Sequence, residues 1–438
     1  MKPGSKFYIE TFGCRCNQAD SAAMRAGLCG SAMREADSHG EADLVVVNTC
    51  TVTHRTDQQV RQAVRKVHRE NPSAHVVVTG CYAERDPQAL AQLPGVSLVL
   101  GNADKERLAA IVNQEIDGPA GRIIRTPLDD GRDYLLPAGA QVGTRTRPFV
   151  KLQDGCDARC SYCVIPSVRG PDRSARPEDI LNQIRALIDR GYQEIVLTGV
   201  HLGTYGRRMA EPVLLADLLC RILALPGLGR LRLSSIEPMR FSRSIVDLAA
   251  ESQKFAPHFH IPLQSGSDRI LRRMRRPYTA ARFADLLGYI RAKLPDAGLG
   301  TDVLVGFPGE TDEDFAATCR IVKESGVSYA HVFPFSAREG TAAYAMPDRV
   351  PPGILHERAR LIREISQEKN LEFRRGFVGK VAKGITLAKE EEMGESAVLT
   401  ENYIQVWAAG AVPGPNRLVD VRIDEVSTHA THGTVLSE

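Results

Sequence analysis

Short apolar runs separated by amphipathic stretches mark the first quarter of the chain. Phe7 to Glu10, Asp43 to Val47, His75 to Thr79 and Ser97 to Leu100 read as buried strands. Between them, Thr56 to Glu70 puts Val60, Val64 and Val67 on one helical face. Strands alternating with helices predict an α/β domain over residues 1–116, built on a doubly wound parallel sheet. From 117 to 146, Gly, Pro, Asp and Arg crowd together and periodicity fades, so a linker is expected there.

The alternation resumes over residues 147–375. Candidate strands are Pro148 to Gln153, Glu194 to Thr198, Leu231 to Ser235, His258 to Pro262, Thr301 to Gly306 and Ala330 to Phe335. Pro177 to Arg190, Pro212 to Leu225, Ala280 to Lys293 and Asp312 to Ser325 carry helical spacing. Six such units predict an open (β/α)6 partial barrel with its active site at the carboxyl ends of the strands. Pro352 to Arg375 reads as a long charged helix. Over 376–438 the helical signal stops. Strand-like runs at Val378 to Leu387, Ser396 to Trp407, Leu418 to Val426 and Thr434 to Leu436 predict a small β-barrel.

A chain of 438 residues, 43% apolar and 25% charged, can bury three cores, which excludes global disorder. Its net charge of +3 neither demands nor excludes a polyanionic partner, so local clustering must decide. No apolar run has the length of a membrane span, and Met1 to Glu10 lacks the apolar core of a signal peptide. Ten cysteines without an export signal point to a reducing, cytoplasmic setting and to metal or redox chemistry, not to a secreted disulfide scaffold.

The strongest chemical signal is Cys156-Asp-Ala-Arg-Cys160-Ser-Tyr-Cys163, which follows the first strand of the expected barrel. Three closely spaced thiolates can hold three irons of a four-iron cluster and leave the fourth open to an external ligand. A structural zinc site completed by a distant His, or chance clustering, is the alternative. With Tyr162 before its last Cys, the triplet resembles the signature of the radical S-adenosylmethionine enzymes. The resemblance implies that S-adenosylmethionine chelates the open iron and is cleaved there to a deoxyadenosyl radical, with the protein supplying position and exclusion of water.

A second constellation lies upstream. Cys14, Cys50 and Cys81 each sit just after an expected strand, so all three should emerge at one edge of the sheet. Gly13 and Gly80 would let two of those turns approach a bulky ligand. Three half-buried core cysteines are the plainer alternative. Thr11 to Gln18, Asn48 to Thr53 and Thr79 to Ala83 resemble the N-terminal domain of the methylthiotransferases, which implies a second four-iron cluster on these three cysteines. Val164 to Pro166, Arg173 to Pro177, Leu197 to Gly203, Leu233 to Pro238, His258 to Asp268, Asp302 to Phe315 and His331 to Ser336 extend the resemblance. Leu399 to Tyr403 resembles the small RNA-binding β-barrel that ends these enzymes. Cys16 departs from the pattern; it could substitute as a ligand, but is expected to sit idle beside the cluster. Cys29, Cys220 and Cys319 read as packing residues.

The resemblance also implies that the backbone of Thr198, Gly199 and Val200 meets the methionyl end of the cofactor. Glu237 and Gln264 would bond its ribose or adenine, or serve one step further back as hydrogen-bonding supports. His201 and His260 read as structural. Arg269, Arg272, Arg273, Arg275 and Arg276 fall within eight residues, and Arg169, Arg173 and Arg176 flank the triplet. Such clusters can track a nucleic-acid backbone, although a charge run is ordinarily a solvated face.

Together these features predict an enzyme with two [4Fe–4S] clusters and S-adenosylmethionine that methylthiolates tRNA, using a cellular electron donor. Asn48 to Thr53 and Thr198 to Gly203 most resemble the branch acting on N6-threonylcarbamoyladenosine. Isopentenyladenosine tRNA and a ribosomal protein are the alternatives within the family. A non-enzymatic iron–sulfur RNA sensor is the alternative outside it. The immediate sulfur donor and the oligomeric state have no signature in the residues.

Overall fold

The computed structural model describes residues 4–116, 118–128, 146–392, 395–409 and 412–436. Its N-terminal sheet has six parallel strands, in the spatial order Arg34–Glu35, Lys6–Thr11, Leu44–Thr49, His75–Gly80, Val96–Leu100 and Arg122–Ile124. Side chains alternate across it. Val45, Val47, Val76 and Val78 pack with Val60, Val64 and Val67 of the helix His54–Glu70. Leu44, Val46, Val77 and Leu98 pack with Met24 and Leu28 of the helix Arg15–Gly30 and with Leu108 and Val112 of Leu108–Glu115. Both faces are covered, as a doubly wound sheet requires.

The segment expected to be a linker begins differently. Arg122–Ile124 pairs in parallel with Leu98 to Leu100 and forms the edge of this sheet. Three residues are too few to register as a periodic run. The remainder of that expectation, residues 129–145, lies outside the described residues.

The central unit has six parallel strands: Phe149–Asp154, Glu194–Gly199, Arg230–Leu233, His258–His260, Gly298–Val305 and Tyr329–Pro334. Single parallel bridges, Leu231 to Phe255 and Ser235 to His260, join its two halves. The outer edge of Phe149–Asp154 pairs with the short antiparallel strand Arg173–Ser174, so the barrel is open among the described residues. Val150, Leu197, Leu233 and Val303 contribute to one large core with the surrounding helices, including Ile180 and Ile184 of Pro177–Asp189. The long helix occupies Pro352–Arg375, as its pattern predicts. It is tied to the last strand by Ser366 Oγ, which bonds both the amide (2.8 Å) and the carbonyl (3.0 Å) of Ala330.

The C-terminal unit is a closed barrel of Val381–Glu392, Glu395–Thr400, Gln405–Ala409, Leu418–Val426 and Thr431–Val435. The single run expected from Ser396 to Trp407 is two strands. Thr400 Oγ1 accepts from the Ile404 amide at 2.8 Å, and Tyr403 takes a left-handed φ of 76°, closing a tight turn. Apolar residues on both sides of that turn conceal it from a reading by pattern. Among the described residues, no helix is long and apolar enough to cross a membrane.

Candidate functional site

Three neighbouring strands of the first sheet deliver the upstream thiols to one edge. Cys14 caps the helix Arg15–Gly30, Cys50 follows Leu44–Thr49, and Cys81 opens the helix Cys81–Arg85. Gly13 has φ +99°, and a Cβ there would lie 2.5 Å from Cys50 Cβ and 2.8 Å from its Sγ. Only glycine lets these two turns close together. Thr49 Oγ1 accepts from the amides of Tyr82 (3.1 Å) and Ala83 (3.3 Å), which pins the turn that carries Cys81.

Burial pushes the Cys50 thiol up to about 12, and the sulfurs of Cys81 and Cys14 add to the effect. Cys14 goes the other way. A hydrogen bond with Cys16, helped by the nearby Arg169 guanidinium, draws it down to about 5. Cys16 is buried and its Sγ lies 3.8 Å from Thr198 Oγ1, so it touches both the upstream thiols and the end of a barrel strand.

The second trio occupies the loop after Phe149–Asp154. The Ala158 amide points at Cys156 Sγ (3.4 Å) and the Ile165 amide at Cys163 Sγ (3.5 Å). Burial raises Cys156 to about 11, and burial with the neighbouring Cys160 raises Cys163 to about 12. Tyr162 packs edge-on against Phe307, 6.4 Å between ring centroids, and holds the loop on the barrel wall. The donor sets fit thiolate-ligated metal. Buried thiols such as Cys50, Cys156 and Cys163, which resist ionisation on their own, gain most from a cation that neutralises them, and amide N–H groups on sulfur are a usual support for iron–sulfur ligation.

Polar groups gather at the carboxyl ends of the barrel strands. Gln153 Oε1 accepts from the His201 amide at 2.7 Å, and its Nε2 donates to Gly155 O (2.7 Å) and Asp172 Oδ1 (3.0 Å). Gly199 lies against Gln153, with a hypothetical Cβ 3.1 Å from its Oε1. Val200 is half-buried beside it. Burial, with Arg276 and Arg240 nearby, keeps His201 neutral by lowering it to about 4. Its Nδ1 lies 3.5 Å from Cys156 Sγ, and its Nε2 is buried without a partner. Ser234 Oγ is likewise buried and unpartnered, whereas His260 Nε2 faces Asp302 Oδ1 at 3.3 Å. Gln264 takes a left-handed φ of 66° while its backbone pairs across to Asp302 and Leu304. Such orphaned atoms at strand ends fit a polar ligand bound there.

The five-arginine cluster is not one surface. Arg272 and Arg275 are exposed, but Arg269 pairs with Asp314 and Arg273 is half-buried. Arg276 is only 5% exposed, donating to Cys160 Sγ at 3.3 Å and to the Glu237 carboxylate. Its place is among the thiols, because the helix Asp268–Arg273 ends before it and the chain turns inward through Arg275 at φ 58°. Arg169 is also buried, donating to Asp154 Oδ1 (2.8 Å), Asp20 Oδ2 (3.0 Å) and Asn17 Oδ1. Arg173 is half-buried, and Arg176 is exposed and paired with Asp179. Cys29 and Cys220, expected in packing roles, are exposed, whereas Cys319 packs at the margin of the core.

Sequence reasoning missed the residues that join the two sites. Lys151 and Lys105 complete a buried network with Asp20, Asp154 and Arg169. Asn102 Nδ2 donates to Val168 O and lies 3.9 Å from Cys81 Sγ. Cys81 itself packs against Val164 and Val168, in the segment that follows Cys163. Buried charge carries no periodic signature, so these partners become visible only when the two units meet.

A profile described as the radical SAM superfamily matches residues 150–322, and one described as uncharacterized protein family UPF0004 matches residues 6–101. The threonylcarbamoyladenosine tRNA methylthiotransferase MtaB of Aquifex aeolicus is 36% identical over 92% of this chain and 97% of its own. The MtaB of Bacillus subtilis is 36% identical over 95% and 93%. The tRNA-2-methylthio-N(6)-dimethylallyladenosine synthase of Mycobacteroides abscessus is 30% identical over 99% and 88%. Among solved structures, the radical S-adenosylmethionine methyltransferase TsrM of Kitasatospora setae shares the fold, with a TM-score of 0.56, 16% identity, and 78% and 77% of the two chains covered. The chain therefore belongs to the radical S-adenosylmethionine methylthiotransferase family and is an enzyme.

Proposed function

We propose that this enzyme methylthiolates N6-threonylcarbamoyladenosine beside the anticodon of tRNA. Cys156, Cys160 and Cys163 would hold one [4Fe–4S] cluster together with S-adenosylmethionine, and Cys14, Cys50 and Cys81 would hold the second. When bound, these groups supply the radical that breaks an unactivated C–H bond and the sulfur that replaces the hydrogen.

One observation carries the reading. The segment from Cys163 to Arg169 belongs to both thiol sites, because Val164 and Val168 pack on Cys81 while Arg169 bonds Asn17 and Asp20 beside Cys14. A radical centre and a sulfur source serving one substrate carbon need such a shared wall. A sensor would not.

The chain's own residues then have definite tasks. Arg276 and the amides of Ala158 and Ile165 donate to the sulfurs. Gln153 holds the turn of Gly199 and His201, and Thr198, Val200, Glu237 and Gln264 offer polar and backbone contacts to the cofactor. The exposed Arg272 and Arg275, with the C-terminal barrel, meet the RNA. An electron donor from the cell completes the cycle. The N-terminal unit, carried to Ile124 by its edge strand, and the units 147–375 and 376–438 divide sulfur delivery, radical generation and RNA binding. The threonylcarbamoyladenosine branch is supported by relatives at 34–36% identity, against 30–33% for the dimethylallyladenosine enzymes.

An assay offering threonylcarbamoyladenosine tRNA, isopentenyladenosine tRNA and the ribosomal-protein substrate decides the matter. Methylthio product on the first is the expected result. Preference for isopentenyladenosine would overturn the branch, and preference for the protein would overturn the RNA substrate. Absence of deoxyadenosine from S-adenosylmethionine would overturn the radical chemistry.

A further inference from the structure

The turn 401–404 of the C-terminal barrel does not project into solvent. It enters the amino-terminal end of the (β/α) barrel, where Glu194, Arg230, His258, Gly298 and Tyr329 begin their strands. Arg232, wholly buried, donates to Glu401 O at 2.9 Å and Thr400 O at 3.1 Å while its Nε holds Glu194 at 2.8 Å. At Gly298 a Cβ would lie 2.1 Å from Asn402 O, so this strand can start only with glycine if the turn is to fit. Asn402 is buried and donates to Asp296 O at 3.2 Å.

Tyr403 ends this insertion. Its ring stacks on His258 with 4.3 Å between centroids, and the Arg232 guanidinium lies 5.2 Å from the ring centre. Its hydroxyl accepts from Arg15 Nη2 at 3.2 Å. Arg15 stands between Cys14 and Cys16 in the first turn of the helix that carries the upstream thiols. A module that only bound RNA would need neither a non-glycine residue at positive φ nor carbonyls satisfied by a buried ion pair beneath another domain. Left-handed backbone at such a position persists only where the surroundings impose it.

We infer that Tyr403 is a positioning residue for the upstream thiol site. Its hydroxyl fixes the Arg15 guanidinium, and with it the turn of Cys14, while the 401–404 turn closes the floor of the radical chamber. The C-terminal barrel is thereby part of the reaction chamber, and RNA held by it is linked mechanically to the sulfur-bearing turn. This inference rests on the reading of Cys14, Cys50 and Cys81 as the second cluster site.

The test compares full-length wild type, Tyr403→Phe, Arg15→Gln and the double variant after anaerobic reconstitution. Phenylalanine keeps the stack on His258 and removes only the hydroxyl, and Arg15→Gln breaks the same contact from the other side. The readouts are iron content, amide hydrogen exchange over residues 13–20, and deoxyadenosine formed per methylthio product on tRNA. Both single variants should keep about eight irons. They should exchange faster in the Cys14 turn and raise the deoxyadenosine-to-product ratio about threefold or more, with no further rise in the double variant. A ratio and exchange unchanged in Tyr403→Phe, or additive effects in the double variant, would overturn the inference. Only four irons in wild type, or methylthio product from Cys50→Ala, would overturn the sulfur-site reading and the role of Tyr403 with it.

Discussion

Arg276 donates through Nη1 to the Cys160 sulfur at 3.3 Å and through Nη2 to the Glu237 carboxylate. A guanidinium buried in that position stabilises negative charge on sulfur and has no access to a phosphate backbone. Arg276→Gln should therefore lower S-adenosylmethionine cleavage by about tenfold or more. The salt dependence of tRNA affinity should stay as in wild type. Replacing the exposed Arg272 and Arg275 with Gln should do the reverse. Cleavage without RNA should be unchanged, and the slope of log affinity against log salt should shrink by up to about two. Equal salt slopes in all three proteins would remove these arginines from the RNA path.

The two thiol trios make separable predictions. Replacing Cys156, Cys160 and Cys163 together with Ala should leave roughly half of about eight irons and abolish deoxyadenosine formation. Cys50→Ala should still form deoxyadenosine but no methylthio nucleoside. Cys16→Ala should keep its iron, since Cys16 bonds Cys14 and Thr198 from the side without being needed as a third thiol. Loss of the upstream iron in that variant would make Cys16 a ligand.

Glu194 links the barrel floor to acid stability. Burial alone would raise its carboxyl, but Arg232, Arg147 and Arg230 outweigh burial and hold it at about 2. A depressed folded value stabilises the protein above the ordinary carboxylate pKa near about 4.3. The stabilisation, roughly 3 kcal/mol, is lost as pH falls from there toward 2. Glu194→Gln should be less stable at neutral pH and should lose less on acidification across that window, read from urea midpoints. Parallel pH profiles would assign the acid sensitivity to other carboxylates.

Much of this architecture was legible because burial imposes a period. Val60, Val64 and Val67 mark a helix face in the sequence and are buried on the sheet in the structure. Gly13 and Gly80 could be expected to accommodate close turns, and both have positive φ where a Cβ would collide. The two thiol trios were legible from spacing and from their positions after strands. What failed had no period to betray it. Arg276 belongs to a basic run by sequence and to the thiol site by geometry, since one turn of backbone separates a solvated arginine from a buried one. The break at 401–404 hides between apolar flanks, yet it closes the barrel floor. Cys29 and Cys220 sit in helices as expected but on their solvent side, which composition cannot distinguish.

Arg338 holds the two units together at the lip of the upstream thiol site. It is 1% exposed, and its Nη2 donates to Thr51 Oγ1 and Asp57 Oδ2, each at 2.6 Å, while Thr51 donates to Asp57 Oδ1 at 2.7 Å. His54 adds a contact from its ring to Ala337 O at 2.8 Å. Thr51 follows Cys50 directly, so this clamp sets where the sulfur-bearing turn stands relative to the barrel. Removing one partner of a buried pair leaves the other uncompensated, and the usual cost is about 3–5 kcal/mol. Arg85 still lies 3.4 Å from Asp57, so the lower end of that range is expected for Arg338→Ala. Pairing Arg338→Met with Asp57→Asn should recover much of the stability, because no deeply buried charge is left unpaired and Arg85, which loses Asp57, is partly exposed. Recovery of product need not follow. Apolar packing can restore the fold without restoring the registration of Cys50 against the radical site. The double variant should thus unfold near wild type in denaturant yet form less methylthio nucleoside per deoxyadenosine. Additive losses of stability in the double variant would show that Arg338 and Asp57 act apart, and a wild-type product ratio would limit the clamp to stability.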